Sequence, residues 1–129
     1  MSSFAFYGIF RDDPTRRRAF GSDGYKVISD ELAVPGWNVD YEYGVARILP
    51  SKYGQLKLSL CTLTEEAEKT ADAIEGVSRG MYRKDMCEFV FKEDWAEQVD
   101  PEFDDCKIYM FNTDYPSKFW PPKVRSEDA

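Results

Sequence analysis

The sequence predicts an α+β fold: a small mixed-strand barrel or curled sheet with one main helix and one short helix. Three observations point there. Strand-like runs rich in aromatic and branched residues recur along the chain, one strongly capped helical segment interrupts them, and 129 residues with 43% hydrophobic content suffice for one core but are short for two. The expected organisation is a single domain over residues 1–115 and a C-terminal tail over 116–129.

Phe4 to Phe10 (FAFYGIF) is the expected first strand. It ends in a turn around Gly8, where the backbone can come close to a ligand. Asp13 followed by Pro14 reads as an N-cap with proline at the first helical position, opening a short helix from Thr15 to Phe20 that GSDG closes. Tyr25 to Leu32 alternates moderately. After a Pro35-Gly36 turn, WNVDYEY places Trp37, Val39, Tyr41 and Tyr43 on one face and Asn38, Asp40 and Glu42 on the other. Val45 to Leu49 is a further short strand. Lys52-Tyr53-Gly54 reads as a turn into LKLSLCTL, where Leu56, Leu58 and Leu60 share a face.

Thr64 caps the main helix. Glu65 and Glu66 occupy its first turn, Ala67, Ala71 and Ile74 form an apolar stripe, and Gly76 is its C-terminal cap. Strands are expected again at Asp85 to Phe91 and Cys106 to Asn112, joined by an acidic connection from Lys92 to Asp105. The tail carries Trp120-Pro121-Pro122.

A formal charge of -7 opposes unaided binding to nucleic acid or to an anionic membrane, which demands a surplus of Lys and Arg. The expected partners are therefore small molecules or proteins. MSSFAFYGIF lacks the basic start and long apolar run of a secretory signal, and no window approaches 18 uninterrupted apolar residues, so the expected location is cytoplasmic. Cys61, Cys87 and Cys106 are odd in number and widely spaced, as reduced packing residues would be. The chain has no histidine, which removes a histidine general base, a Ser-His-Asp triad and the usual zinc sites, so no metal site is expected. Acid-base chemistry falls to carboxylates, Lys, Tyr or Cys.

Among the carboxylates Glu75 stands apart. It lies between Ile74 and Gly76 at the C-terminal end of the main helix, where the helix dipole disfavours an anion. A flanking apolar and aromatic environment would raise its proton affinity further by desolvation. Taken by itself, a glutamate at a helix end is ordinarily a solvated surface residue.

Read together, Tyr7-Gly8-Ile9-Phe10, the run LKLSLCTLT, the block Ala71-Asp72-Ala73-Ile74-Glu75-Gly76 and Tyr82 with Arg83 resemble the gamma-glutamylcyclotransferase-like superfamily over residues 4 to 112. That superfamily includes gamma-glutamylamine cyclotransferases and the butirosin-biosynthesis deprotecting enzyme. Its pattern is a Tyr-Gly-small/polar-Leu turn after the first strand, a helix closing on Leu-Asp-x-x-Glu-Gly, and a Tyr-x-Arg-like segment. This chain departs from it in four places: Ile9 stands for the small polar residue, Phe10 and Ala71 stand for leucines, and Arg83 follows Tyr82 directly.

The resemblance implies cofactor-independent cyclisation of a gamma-glutamyl group to 5-oxoproline with release of an amine. Glu75 would be the catalytic base and then acid, and Tyr7, Gly8, Ile9 and Phe10 would bind the substrate; Tyr82 and Tyr109 would line the same pocket and bind it too, or be core or half-exposed strand aromatics. Backbone N–H groups of the Gly8 to Phe10 turn would stabilise an oxyanion or hold the substrate's α-carboxylate; both roles stay open. Two other classes compete: a protein that sequesters a small ligand in the same pocket, and an acidic interaction protein docking a partner, or a second copy as a homodimer, through the Trp37 to Tyr43 face. Asp72 would position Glu75 or be solvated. Arg16, Arg17 and Arg18 would steer an anion or form a charged helix face. Cys61 has no histidine with which to form a nucleophilic pair.

Overall fold

The computed structural model describes residues 1–42, 44–99 and 105–113. The α+β architecture expected from the sequence is the one observed. Among the described residues five strands form one open mixed sheet: β1 (Ser2–Phe6), β2 (Tyr25–Asp40), β3 (Arg47–Leu63), β4 (Tyr82–Met86) and β5 (Lys107–Phe111), in the spatial order β2-β3-β1-β5-β4. All neighbours run antiparallel except β1 and β5, which are parallel. The helices are α1 (Asp13–Phe20), α2 (Glu65–Glu75) and α3 (Cys87–Gln98).

The two sides of the sheet carry separate cores because strand side chains alternate. On one side Phe4 and Phe6 of β1 meet Cys61 and Leu63 of β3, Tyr109 and Phe111 of β5, and Ala67 and Ala71 of α2. On the other, Ala5 and Tyr7 join Leu56, Leu58 and Leu60, Ile108, and α3 through Cys87, Phe91 and Trp95. The central strands are thus buried on both faces, which is why β1 reads as an almost continuous apolar run.

Local signals explain the helices. The Asp12 carboxylate caps α1, accepting from the Thr15 N–H at 3.0 Å, so the cap is one residue earlier than the sequence suggested and Pro14 still lies in the first turn. The Thr64 hydroxyl accepts from the Ala67 N–H at 3.1 Å, and Gly76 closes α2 in the left-handed conformation at φ 67°. Ala67 and Ala71 are buried, whereas Ile74, the third member of the stripe, is exposed.

Three local expectations are corrected. First, β1 stops at Phe6, and Ile9–Arg11 forms a short 3-10 turn instead of continuing the strand. Second, the turn signals at Pro35-Gly36 and Lys52-Tyr53-Gly54 do not divide strands. Both lie inside the β2/β3 ribbon, where the register jumps from Pro35 opposite Gln55 to Trp37 opposite Pro50. Gly36 sits at this irregularity with φ 87°, and a side chain at Gly54 would collide with the Trp37 carbonyl, so both glycines serve one bulge. β2 runs on to Asp40 and β3 begins at Arg47, so neither signal ends a strand. Third, the strand expected at Asp85 to Phe91 ends at Met86, and helix α3 takes over, interrupted at Lys92 (φ 52°, ψ -127°). Cys87, Phe91 and Trp95 recur every fourth residue and are all buried, a helical spacing inside what looks like an aromatic strand. The expected tail from residue 116 lies outside the described residues.

Candidate active site

The end of β1, the Ile9–Arg11 turn, the tip of the β2/β3 ribbon, the C-terminal turn of α2 and the start of β4 converge on one cavity of about 370 Å3. All seven residues singled out from the sequence line it: Tyr7, Gly8, Ile9, Phe10, Glu75, Tyr82 and Tyr109. The structure adds a wall that the sequence reading missed, made by Tyr41, Gly44, Val45 and Ala46 of the ribbon tip, with Ile74 and Met81 beside Glu75. The tip is tied down at Ala46. Its carbonyl accepts the Tyr82 hydroxyl, and its Cβ would lie 3.3 Å from a Cβ built at Gly8, so any side chain at Gly8 would press on the wall.

Glu75 is half-buried. It makes no hydrogen bond or ion pair with any described residue, and burial alone raises its carboxyl to about 7. It is also the last residue of α2, where the helix dipole disfavours an anion. Its charge is felt by three of the pocket tyrosines, since it disfavours the phenolates of Tyr7, Tyr82 and Tyr109 after burial has already raised each of them. The tyrosines consequently stay neutral, and Glu75 is the lining group that titrates near neutrality.

These three tyrosine hydroxyls have already spent their protons on the protein. Tyr7 donates to the carbonyl of Tyr109 at 2.6 Å, Tyr109 donates to the Asp72 carboxylate at 2.8 Å, and Tyr82 donates to Ala46. Each oxygen keeps lone pairs with which to accept. In the 3-10 turn the Arg11 N–H reaches the Gly8 carbonyl at 3.1 Å and the Asp12 N–H reaches the Ile9 carbonyl at 3.2 Å, while the N–H groups of Ile9 and Phe10 have no backbone acceptor among the described residues. The Phe10 ring is buried against Phe6 and Phe20, with centroids 5.2 and 4.9 Å away, so this residue fixes the turn from beneath.

Two charged groups hold the frame. Arg16, 1% exposed, donates to the Phe10 carbonyl at 2.8 Å and pairs with Asp30 and Asp13 at 3.3 Å each. It braces the 3-10 turn from inside instead of presenting a charged helix face, while Arg17 pairs with Asp13 at 2.9 Å. On α2, Glu68 and Asp72 lie on the same side as Glu75. Lys84 bridges Glu68 at 2.7 Å and Asp72 at 3.0 Å, and Lys107 reaches Glu68 at 3.0 Å. Asp72 therefore binds Lys84 and Tyr109, not Glu75, and docks the helix onto β4 and β5.

Cys61 is buried in β3, and burial pushes its thiol up to about 11 against the pull of Arg16, so it is no thiolate at neutral pH. Trp37, expected on a docking face, packs edge-on against Phe91 at 5.6 Å. Tyr41 lines the cavity, and Tyr43 lies outside the described residues. Among the described residues no group of three or more Cys, Asp or Glu side chains is gathered to hold a metal ion, and no helix is long and apolar enough to cross a membrane.

No family model matches the sequence, and neither does any curated protein. Solved structures do. A gamma-glutamyl cyclotransferase superposes with TM-score 0.58 at 14% identity, over 86% of this chain and 68% of its own. The uncharacterized protein PH0828 from Pyrococcus horikoshii gives 0.57 at 16% identity, over 91% and 83%. At5g39720.1 from Arabidopsis thaliana gives 0.56 at 16%, over 98% and 78%. At such identities a likeness speaks for the chain path and not for the chemistry. The protein has the gamma-glutamylcyclotransferase-like fold.

Proposed function

We propose that the protein cyclises a gamma-glutamyl group to 5-oxoproline and releases an amine, with Glu75 carrying the protons. The observation that carries this reading is the Glu75 carboxyl: half-buried, unpaired, inside a cavity walled by neutral tyrosines, and raised to about 7 by burial. Such a group serves as base and acid at neutral pH.

The substrate's α-amine attacks its own γ-carbonyl carbon, forming the ring C–N bond. Both partners belong to one molecule, so the site has to supply a productive rotamer and proton transfer. Glu75 takes a proton from the α-ammonium, and the tetrahedral intermediate collapses with breakage of the amide C–N bond. Glu75 returns its proton to the departing nitrogen and then carries the ring nitrogen's second proton to the released amine, which leaves as an ammonium ion, so no water is consumed and the carboxylate is regenerated. The hydroxyl oxygens of Tyr7, Tyr82 and Tyr109, having donated elsewhere, are left to accept from the α-ammonium. The N–H groups of Ile9 and Phe10 are available to the oxyanion or to the α-carboxylate.

The test is 5-oxoproline release from a panel of gamma-glutamyl amines, followed by chromatography, with the wild-type chain and Glu75→Gln. Wild type should turn over at least one conjugate, and Glu75→Gln should lose about 100-fold or more in kcat, the scale of general acid-base catalysis. Equal turnover by the two proteins would refute Glu75 as the proton carrier. Conjugates that bind and are recovered intact from wild type would assign the cavity to sequestration.

A further inference from the structure

We propose that the substituent on the substrate's amide nitrogen is uncharged and apolar, an alkyl or arylalkyl group, and that Ile9, Tyr41 and Ile74 at the mouth of the cavity recognise it. This rests on the cyclisation reading and specifies its substrate class.

Large hydrophobic side chains are costly to leave in water, and three that this protein exposes line a single cavity: Ile9 at 57%, Tyr41 at 64% and Ile74 at 44%. They come from three separate elements, the 3-10 turn, the ribbon tip and the end of α2, so their meeting is a property of the fold and not of a local run. The polar machinery lies deeper. Tyr7, Tyr82 and Tyr109 are buried, and Glu75 follows Ile74 inward on the last turn of α2. A gamma-glutamyl group placed with its α-amine at Glu75 leaves its amide substituent pointing back toward the mouth, onto the exposed apolar surface.

Charge excludes the alternatives. Among the described residues lining the cavity there is no Lys or Arg, so a leaving group bearing a carboxylate, such as an amino acid or peptide, would be desolvated without a cation. The protein's net charge of -7 adds to that penalty. A leaving group with a second ammonium would meet Glu75 as its only lining acid, and Glu75 is engaged with the α-amine during the reaction. An uncharged apolar substituent meets neither objection.

The experiment compares near-isosteric gamma-glutamyl conjugates of butylamine, 4-aminobutyrate and putrescine, and extends the first through ethylamine and hexylamine. On the full wild-type chain, kcat/KM should rise about fourfold per added methylene until the mouth is filled. The butylamine conjugate should exceed both charged ones by about tenfold or more. Ile9→Ser and Ile74→Ser, both surface changes that should leave the circular dichroism spectrum intact, should flatten the chain-length dependence. A charged conjugate processed as well as the butyl one, or a dependence unaltered in both variants, would overturn the inference.

Binding of the corresponding glutaryl amides, which lack the α-amine and cannot cyclise, is measured by calorimetry on wild type. A graded affinity in that series without turnover of any gamma-glutamyl conjugate would uphold the apolar mouth and sink the catalytic reading. A flat series would sink the inference whatever the turnover.

Discussion

Replacing Glu75 by glutamine should stabilise the protein above neutral pH and leave it nearly unchanged in mild acid. The folded chain holds the Glu75 proton more tightly than the unfolded chain does, because burial disfavours the carboxylate. Between the two pKa values the native state therefore binds more protons than the unfolded state, and stability falls as pH rises. The Glu75 contribution is most favourable below about 4.5, declines between 4.5 and about 7, and is fully unfavourable above that. A displacement from 4.5 to about 7, at about 1.36 kcal/mol per pH unit, corresponds to about 3 kcal/mol. Partial solvent access to this half-buried group brings the expected figure to about 2 kcal/mol. Urea unfolding of wild type and Glu75→Gln at pH 5 and pH 8 reads this directly as the change in their stability difference. A difference that stays constant across that range would show the carboxyl to be as solvated as any surface glutamate, and the proton-transfer argument would fall with it.

Glu68 should behave in the opposite sense. Burial alone would raise it, but hydrogen bonds from Lys84, Ser2 and Lys107 outweigh burial and hold it down at about 2. Its stabilisation is present above pH 4.5 and lost as pH falls toward 2, so Glu68→Gln should remove about 2 kcal/mol at pH 7 and flatten the acid limb of the stability curve. An unchanged acid limb would refute this. Arg16→Met should cost about 2–3 kcal/mol in urea unfolding, since it strips the Phe10 carbonyl, Asp13 and Asp30 of their shared partner. A change below about 0.5 kcal/mol, the range of an ordinary surface substitution, would show that the guanidinium does not brace the 3-10 turn.

The parts of the fold legible in the sequence are those governed by local chemistry. Thr64, the acidic first turn and Gly76 fix α2 through groups within a few residues of one another, and the apolar, aromatic runs of β1 and β5 mark them as strands. What escaped depends on distant partners. Gly36 and Gly54 look like two turns because each is a glycine beside turn-favouring residues, and only the pairing of β2 with β3 reveals one bulge. Cys87, Phe91 and Trp95 carry a four-residue spacing that the aromatic, β-favouring composition of the segment obscured.

The same division holds at the cavity. Tyr7 to Phe10, Glu75 and Tyr82 were readable through short blocks that resemble the cyclotransferase-like pattern, whereas Tyr41 and Gly44 to Ala46 reach them through tertiary contacts with Gly8 and Tyr82 for which the sequence offers no local mark. Arg16 illustrates the limit most plainly. Three consecutive arginines look equivalent, and burial of one of them depends on a carbonyl six residues earlier and an aspartate fourteen residues later.

The central claim is that the Glu75 carboxyl is poised to exchange protons at neutral pH. Its side-chain carboxyl carbon, followed by carbon-detected NMR with Glu75→Gln identifying the resonance, should titrate with a midpoint of about 7. A midpoint near the ordinary glutamate value of 4.5 would contradict the account.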